Sequence, residues 1–574
     1  MKGEIIPAQD KNANMRDYDE TYKNFRWEDW EKEFTWSTTG KVNIAYEAID
    51  RKAEDPKYAT RYALIYDDDH RKERLTYQQM RDLSNKFGNV LRKLGIKKGD
   101  RVFIFMPRSP ELYVAFVGCA KVGAIFGPLF EAFMEGAVKD RLADSEAVAV
   151  VTTPDMVNRI PIRELPHLKH IILVGSQNLM LRSGEVSWEK EMAEAPYELE
   201  IEWVDREDPL YLMYTSGSTG KPKGVIHVHN DMIGHLATAR LAVDLRDGDT
   251  LWTTADPGWV TGTVYGAFAP WLCGVNNFIK GGRFDVHKWY KAIQDYRITV
   301  WYSAPTAFRL IMAAGDDVAG QYDLSSLRMI LSVGEPLNPE VVYWGRRVLN
   351  LNIHDCWWMT ETGMMMISNY PSMDVKPGSM GRPFPGIEAA VVDEKGNPLP
   401  PNQMGELAIK APWPNMMRKI WRNEKKYSEY FARKPWYISG DTAFVDEDGY
   451  FFFQGRDDDV IKTSGERVGP FEVESALVSH PAVAEAGVIG KPDPIKGNII
   501  KAFISLKPGF QPSEELEKDI MKFVKTQLAA HAAPKEIEFR SSLPKTRSGK
   551  IVRRVLKAWE LGLPTGDLST LDDD

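Results

Sequence analysis

The sequence predicts an α/β fold in two parts: a large multi-subdomain N-terminal domain with parallel-rich sheets and a β-rich appendage, then a small α+β C-terminal domain. Three observations carry that expectation. At about 150 residues per domain, 574 residues leave room for several cores or one large fused one. From Thr76 to Gly334, short apolar strands alternate with helical patterns, the rhythm of a largely parallel sheet. After Gly334 helices thin out and short strands with turn signals take over, until the charged knot Asp457-Asp458-Asp459, past which a small mixed pattern restarts.

In order, the start of the chain carries aromatics and charges without a clean period, as in YKNFRWEDWEKEFTW, and predicts a mixed helical and irregular cap. Thr76 and Gln79 then form a capping box; Met80, Leu83, Phe87, Val90 and Leu94 share one helical face, and Gly95 ends it. VFIFM (Val102 to Met106) reads as a buried strand, Glu111 to Lys121 as a helix, and Ala147 to Thr152 as a strand. The rhythm continues through IILVG, LYLMYT, VIHVH, ITVWYSA and MILSVG. AAVVDEKGNPLP and GELAIK open the β-rich part, with a hairpin turn at Lys395-Gly396-Asn397.

Composition narrows the function. With 43% hydrophobic and 27% charged residues the chain is an ordinary globular one. Its net charge of −8 gives no global positive field for nucleic acid or an anionic membrane, so any anion site is local. Three scattered cysteines, Cys119, Cys273 and Cys356, provide neither a disulfide framework nor a CxxC zinc site. No apolar leader and no membrane-length apolar run are evident, which predicts a cytoplasmic protein ending in a short frayed tail.

The segment YTSGSTGKPKG, Tyr214 to Gly224, joins two apolar strands. Its glycines, hydroxyls and the lysines Lys221 and Lys223 can wrap phosphate oxygens with N–H, O–H and ammonium groups, which suits a triphosphate. It is not a Walker A loop, because Pro222 follows Lys221. Thr215, Ser216, Gly217, Ser218, Thr219, Gly220 and Lys223 are therefore candidate triphosphate ligands. Asp441, after a strand and a Ser-Gly turn, has the carboxylate to accept both ribose hydroxyls, or to cap a turn. Gly334, Glu335 and Pro336, with Asp355, Cys356, Trp357, Trp358, Met359 and Thr360, follow apolar strands where an adenine pocket could be walled. Glu361 is a candidate Mg²⁺ partner, since that ion uses one or two carboxylates plus phosphate oxygens. His227 and His229 lack a third ligand and read as packing, so no zinc is assigned. No GxSxG elbow supports a hydrolase triad.

That loop, with WMTETG (Trp358 to Gly363), ISGD (Ile438 to Asp441), GRDDDVIKTSGERV (Gly455 to Val468) and PKTRSGK (Pro544 to Lys550), resembles the successive motifs of the adenylate-forming superfamily along the whole chain. DPGWVTG, SVGEPLNPE, CWWMTETG and GERVGPFEVESALVSHP resemble its acetyl-CoA synthetase family, in a compact form. The resemblance implies an AMP-forming acetate:CoA ligase that uses ATP and CoA with Mg²⁺; a propionate or other short-acid ligase shares these motifs. A carrier-loading adenylation domain or a non-catalytic nucleotide sensor is a further alternative. It implies an ATP- and acyl-binding domain over 1–457, a mobile domain over 458–574 and a hinge at Asp458. Lys550, which on its own reads as part of a solvated basic tail, becomes the catalytic lysine that bridges carboxylate and α-phosphate. Arg456 and Arg467 join the nucleotide site, and Val260, Thr261, Val333 and Trp358 wall the acyl pocket. Thr261, Ser464, Gly465 and Lys525 serve CoA, with Lys525 standing where long family members carry an arginine. Val478, His480 and Val483 match a backbone-oxygen cation site. A lysine acyltransferase and deacylase acting on Lys550 are implied partners, since acylation would remove its charge.

Overall fold

The computed structural model describes residues 4–68, 70–215, 222–456, 459–463, 466–494, 497–528, 532–546, 550–565, 568 and 571. Two large sheets dominate. One has nine strands in the order Arg382–Pro383, Ile367–Ser368, Ile353–Trp357, Met329–Ser332, Val300–Ser303, Thr250–Thr253, Asn276–Lys280, Tyr62–Asp67, Lys72–Thr76. Its central strands, from Ile353–Trp357 to Tyr62–Asp67, are parallel. The other has eight, in the order Lys419–Ile420, Lys223–Val228, Pro209–Thr215, Ile125–Pro128, Arg101–Phe105, Ala149–Thr152, His170–Leu173, Glu185–Ser187. Its strands from Pro209–Thr215 onward are parallel as well.

Parallel strands are covered on both faces, which is why Val300–Ser303, Met329–Ser332 and Ile353–Trp357 are buried throughout and read as continuous apolar runs. One core joins Leu64 and Val300 of the first sheet to Val102 and Tyr211 of the second through Tyr113, Val117, Leu236 and Trp271. These last lie on helices Pro110–Lys121, Met232–Leu241 and Ala269–Cys273. Pro110–Lys121 is buried all round except at Glu111, as a helix between two sheets must be.

The expected elements are present with small shifts at their ends. Thr76 and Gln79 form the reciprocal capping box, with Gln79 N–H donating to Thr76 Oγ1 at 3.1 Å and Thr76 N–H donating to Gln79 Oε1 at 2.9 Å. The hairpin Tyr62–Asp67 to Lys72–Thr76 was not anticipated; it pairs antiparallel at the sheet edge. Lys223–Val228, expected as one more member of the parallel rhythm, is antiparallel to Pro209–Thr215. Only residues 216–222 join the two, whereas a parallel return needs a crossover of about a dozen residues or more.

The β-rich part is a four-stranded antiparallel sheet, Ala389–Val392, Gly405–Lys410, Trp436–Val445 and Phe451–Arg456, with the predicted turn closed by Asp393 N–H donating to Asn397 O at 2.9 Å. Further along, helices Pro470–Val478 and Glu514–Gln527 pack on strands Val483–Asp493, Gly497–Leu506 and Glu536–Phe539 around a separate core of Val473, Leu477, Val488, Ile500, Ile520 and Val524.

Lys121 is fully buried inside the inter-sheet layer, paired with Asp50 at 2.7 Å and donating to Asn85 Oδ1 at 2.7 Å. Removing one member of a buried pair leaves the other charge uncompensated. Lys121→Ala is expected to cost about 3–5 kcal/mol in urea unfolding; a loss under about 1 kcal/mol would show that the pair bears no weight.

Candidate active site

Strand alternation builds the site's two walls. Trp357 and Trp358 follow each other at the end of Ile353–Trp357, so their side chains leave on opposite faces. Trp357 Nε1–H donates to Asp441 Oδ2 at 2.8 Å, whereas Trp358 Nε1–H donates to the Tyr302 hydroxyl at 3.1 Å.

Asp441 is aimed by a bulge. The Ser-Gly turn expected before it lies within the continuous strand Trp436–Val445, because pairing partners on both sides hold that strand in the sheet. The register with Gly405–Lys410 shifts there, Gly440 takes φ +76°, and Asp441 N–H donates to Ser439 Oγ at 3.0 Å. The re-aimed carboxylate meets Arg456, its cross-strand neighbour, at 2.9 Å. Burial pushes the Asp441 carboxyl above its ordinary value, with Arg456 pulling against that shift.

The next residues form an irregular turn whose carbonyls all find donors. His227 Nε2 donates to Thr360 O at 2.6 Å and Met417 N–H to Glu361 O at 3.0 Å. Trp413 Nε1 donates to Thr362 O at 2.8 Å, while His235 Nε2 and Asn415 Nδ2 reach Gly363 O at 3.1 and 3.3 Å. A carbonyl only accepts, so Nε2 of both histidines carries hydrogen. His227 Nδ1 then shares a proton with Asp231 Oδ2 at 2.6 Å, and burial pushes His235 down to about 4, which keeps it neutral. This is the packing role read for His227 in the sequence, made specific. Gly363, at φ +71°, has no room for a Cβ, which would lie 2.4 Å from Asn415 O.

Glu361 points the other way. Lys223 Nζ is 2.8 Å from its Oε1, and the Tyr430 hydroxyl donates to the same oxygen at 3.2 Å. Burial pushes this carboxyl up, but the Lys223 ammonium and the hydrogen bonds outweigh it and hold Glu361 below its ordinary value.

These groups face one cavity of about 580 Å³. Of the predicted ATP residues, Thr215, Lys223, Gly334, Glu335, Pro336, Asp355, Cys356, Trp357, Trp358, Met359, Thr360, Asp441 and Arg456 line it, as do Glu361 and Lys550. Thr546 N–H donates to Lys550 O at 2.8 Å, and Lys550 is itself part of the cavity lining. Though exposed to the cavity, its ammonium is held below the ordinary lysine value, first by desolvation between the cavity walls, with Glu335 and Asp441 attracting and Arg456 and Arg553 repelling the charge. Asn338 Nδ2 donates to Ser475 Oγ at 3.0 Å nearby, tying the two sides together.

Val260, Thr261 and Val333 are buried and are not part of the cavity lining, but Val260 and Val333 belong to the same core as Trp358. Val478 reaches the cavity; His480, whose Nε2 is 3.2 Å from Asp519 Oδ2, and Val483 lie beyond it in the following turn and strand. Lys525, in the last turn of Glu514–Gln527, is not brought to the cavity. Ser216, Gly217, Ser218, Thr219, Gly220, Lys221, Asp458, Ser464 and Gly465 lie outside the described residues, as does the side chain of Arg467.

The sequence reading did not single out Arg309, Asn338, Tyr430 or Arg553 as site residues, yet Arg309, Asn338 and Arg553 line the cavity and Tyr430 contacts Glu361. Arg309 Nη2 donates to Glu335 Oε2 at 2.7 Å, and Arg553 Nε to Glu474 Oε1 at 2.7 Å beneath Lys550. Arg309 and Tyr430 sit in plain helical sequence, TAFRLI and KKYSEYFA, with no local signal. Arg553 was visible only as one more basic residue.

Residues 50–421 match the family described as AMP-binding enzyme, and residues 472–550 its C-terminal domain. The chain is 60% identical over 576 residues, covering all of both proteins, to an acetyl-coenzyme A synthetase of Bacillus subtilis (strain 168). It is 40% identical to the acetyl-coenzyme A synthetase of Methanothrix thermoacetophila, over 95% of this chain and 88% of the relative. Among solved structures, a Brucella canis acyl-CoA synthetase superposes with TM-score 0.75 at 36% identity, over 95% of this chain and 99% of the other. An anthranilate CoA ligase in complex with anthranoyl-AMP superposes with TM-score 0.82 at 32% identity, over 91% and 97%.

His227→Leu takes the donor from the buried Thr360 carbonyl, at a cost of about 1–3 kcal/mol. The rise in melting temperature caused by AMP should shrink in this variant, and His227→Gln, whose amide N–H can reach the same carbonyl, should recover part of it. An unchanged AMP response in the leucine variant would remove the turn from nucleotide binding.

Proposed function

The chain belongs to the AMP-binding enzyme family, and from that premise we propose that it is an AMP-forming acetate:CoA ligase. Acetate and ATP give acetyl-AMP and pyrophosphate; CoA then displaces AMP to give acetyl-CoA. The observation that carries this reading is the 60% identity with an acetyl-coenzyme A synthetase over the whole of both chains.

On this reading the loop from Thr215 to Lys223 holds the triphosphate, residues 334–336 and 355–360 flank adenine, and Asp441 with Arg456 takes the ribose. Acetate is already an anion at neutral pH, its carboxyl resembling side chains of pKa about 4, so the first step needs no base. Its oxygen attacks the α-phosphorus and pyrophosphate leaves, while Lys550 stabilises the negative charge that grows between them. The depressed Lys550, held among two attracting carboxylates and two repelling guanidiniums, supports this role. In the second step the CoA sulfur attacks the acyl carbon, its proton passes to solvent, and AMP departs. Thr261, Ser464, Gly465 and Lys525 would guide CoA after the 458–574 segment turns about Asp458.

Glu361 suits Mg²⁺: it is a buried carboxylate held ionised beside the phosphate loop, and the ion takes one or two carboxylates plus phosphate oxygens. Bound there, the ion would neutralise phosphate charge. Val478, His480 and Val483 would offer backbone oxygens to a second cation. Lys550, reachable through the cavity, is the residue on which an acyltransferase and deacylase would act. No helix among the described residues is long and apolar enough to cross a membrane, and a cytoplasmic location completes the reading.

Lys550→Ala should abolish pyrophosphate exchange yet leave thioester formation from supplied acetyl-AMP largely intact; equal loss of both would sink the division of roles. The pH dependence has a definite sign. A lysine with lowered pKa loses its charge at lower pH than an ordinary one, so kcat/KM for ATP should begin to fall on the alkaline side below about 10.4. A limb at or above that value would contradict the assignment.

The acid is chosen by volume. The Trp358 indole fills the space a longer chain would need, and since one methylene in an apolar pocket is worth only about 1–3 kcal/mol, propionate should follow acetate as a weaker substrate while longer acids clash. A panel of one- to six-carbon acids in pyrophosphate release, with and without CoA, tests the function. Trp358→Gly should admit four- to six-carbon acids and weaken acetate. Strict retention of acetate preference would make Trp358 structural.

A further inference from the structure

Trp358 can select chain length only if its ring stays in one orientation, and the structure shows what holds it. The indole N–H donates to the Tyr302 hydroxyl at 3.1 Å. Tyr302 lies at the middle of the nine-stranded sheet, on Val300–Ser303, and is fully buried. Indole is a donor only, so the Tyr302 oxygen accepts there and must send its own hydrogen elsewhere. Its other partner is Cys356 Sγ at 3.1 Å. The Cys356 thiol in turn donates to Ser332 O at 3.2 Å, and a carbonyl can only accept. Burial pushes both the phenol and the thiol well above their ordinary values, so each keeps its hydrogen.

The chain therefore runs one way, from indole N–H through tyrosine O–H and cysteine S–H to a backbone carbonyl. It follows from the strand itself: Cys356 and Trp358 are two residues apart and share a face. Tyr265 braces the ring from another side, edge-on at 5.1 Å and 86°. Its hydroxyl is held by Thr238 Oγ1 at 2.8 Å and by Met365 N–H at 3.0 Å.

We infer that Tyr302 is a positioning residue for acid selection, locking the Trp358 indole through the relay that ends at Cys356 and Ser332. This rests on the reading of Trp358 as the wall of the acyl pocket. A freed indole would pivot about its side-chain torsions and open room for one or two more carbons, without any change in the residue that touches the acid.

The test measures kcat/KM for acetate and propionate by pyrophosphate release in the full chain and in four variants. Tyr302→Phe keeps the ring and removes only the oxygen, and should lower the acetate-to-propionate ratio on the order of ten-fold, the worth of one buried hydrogen bond. Cys356→Ala, which removes the acceptor for the Tyr302 hydrogen, should shift the ratio in the same direction by less, and supplies the readout if Tyr302→Phe folds poorly. Cys356→Ser restores an acceptor and should hold the ratio near that of the parent. Trp358→Gly is the reference. If it broadens acid use while Tyr302→Phe and Cys356→Ala keep the parent ratio, the relay has no role in selection although the wall stands. If Trp358→Gly itself leaves the ratio unchanged, the wall reading falls and the relay inference with it.

Discussion

A turn without regular structure, buried between two sheets, has to find donors for its own carbonyls, and the segment from Thr360 to Gly363 meets that demand from outside itself. Its donors come from the strand Lys223–Val228, the helix Met232–Leu241 and the loop between Trp413 and Met417. A buried carbonyl left unpaired costs about 1–3 kcal/mol, so four in a row would make the turn untenable. The same strand that anchors Thr360 through His227 presents Lys223 to Glu361. One element thus sets both the backbone and the side chain of adjacent residues.

From this anchor the strand Ile353–Trp357 distributes two chemistries. Adjacent tryptophans leave on opposite faces, one to a carboxylate fit for a ribose and the other to a phenol in the apolar interior. Polar and apolar subsites are therefore only one residue apart along the chain. In the proposed reaction that proximity brings the acid oxygen to the α-phosphorus without any long lever, and small errors in the strand's register would displace both subsites together.

Much of this was legible in the sequence, and the exceptions have physical causes. The buried strands and the capping box at Thr76 and Gln79 announce themselves because local spacing and residue type suffice for them. The direction of Lys223–Val228 did not, since a buried strand reads alike whichever way it runs and only the short connection reveals the hairpin. Asp441 was marked as a candidate, but the bulge that aims it depends on neighbours on both sides. Arg309 and Tyr430 come to the site through tertiary packing alone, and no spacing in TAFRLI or KKYSEYFA points to a carboxylate elsewhere in the chain. His227, read as packing, donates to the Thr360 carbonyl, and His229 Nδ1 accepts from Ile44 N–H; both targets required the fold.

The charge balance of the cavity bears on the order of events. Lys550, exposed to the cavity, stands among Arg456 and Arg553, and the loss of surrounding water between the cavity walls together with these cations makes its ammonium costly there, only partly offset by Glu335 and Asp441. A bound triphosphate changes the sign of that environment, since it places several negative charges beside the same ammonium. If the segment that carries Lys550 moves as proposed, its docking would be favoured by the nucleotide and disfavoured without it, a linkage that works in both directions. Once acetyl-AMP has formed and pyrophosphate has left, most of that negative charge has gone while Arg456 and Arg553 remain. On the proposed division of roles the ammonium is again poorly compensated, so the chemistry of the first step would weaken the contact that enabled it and would release the cavity for the thiol that comes next.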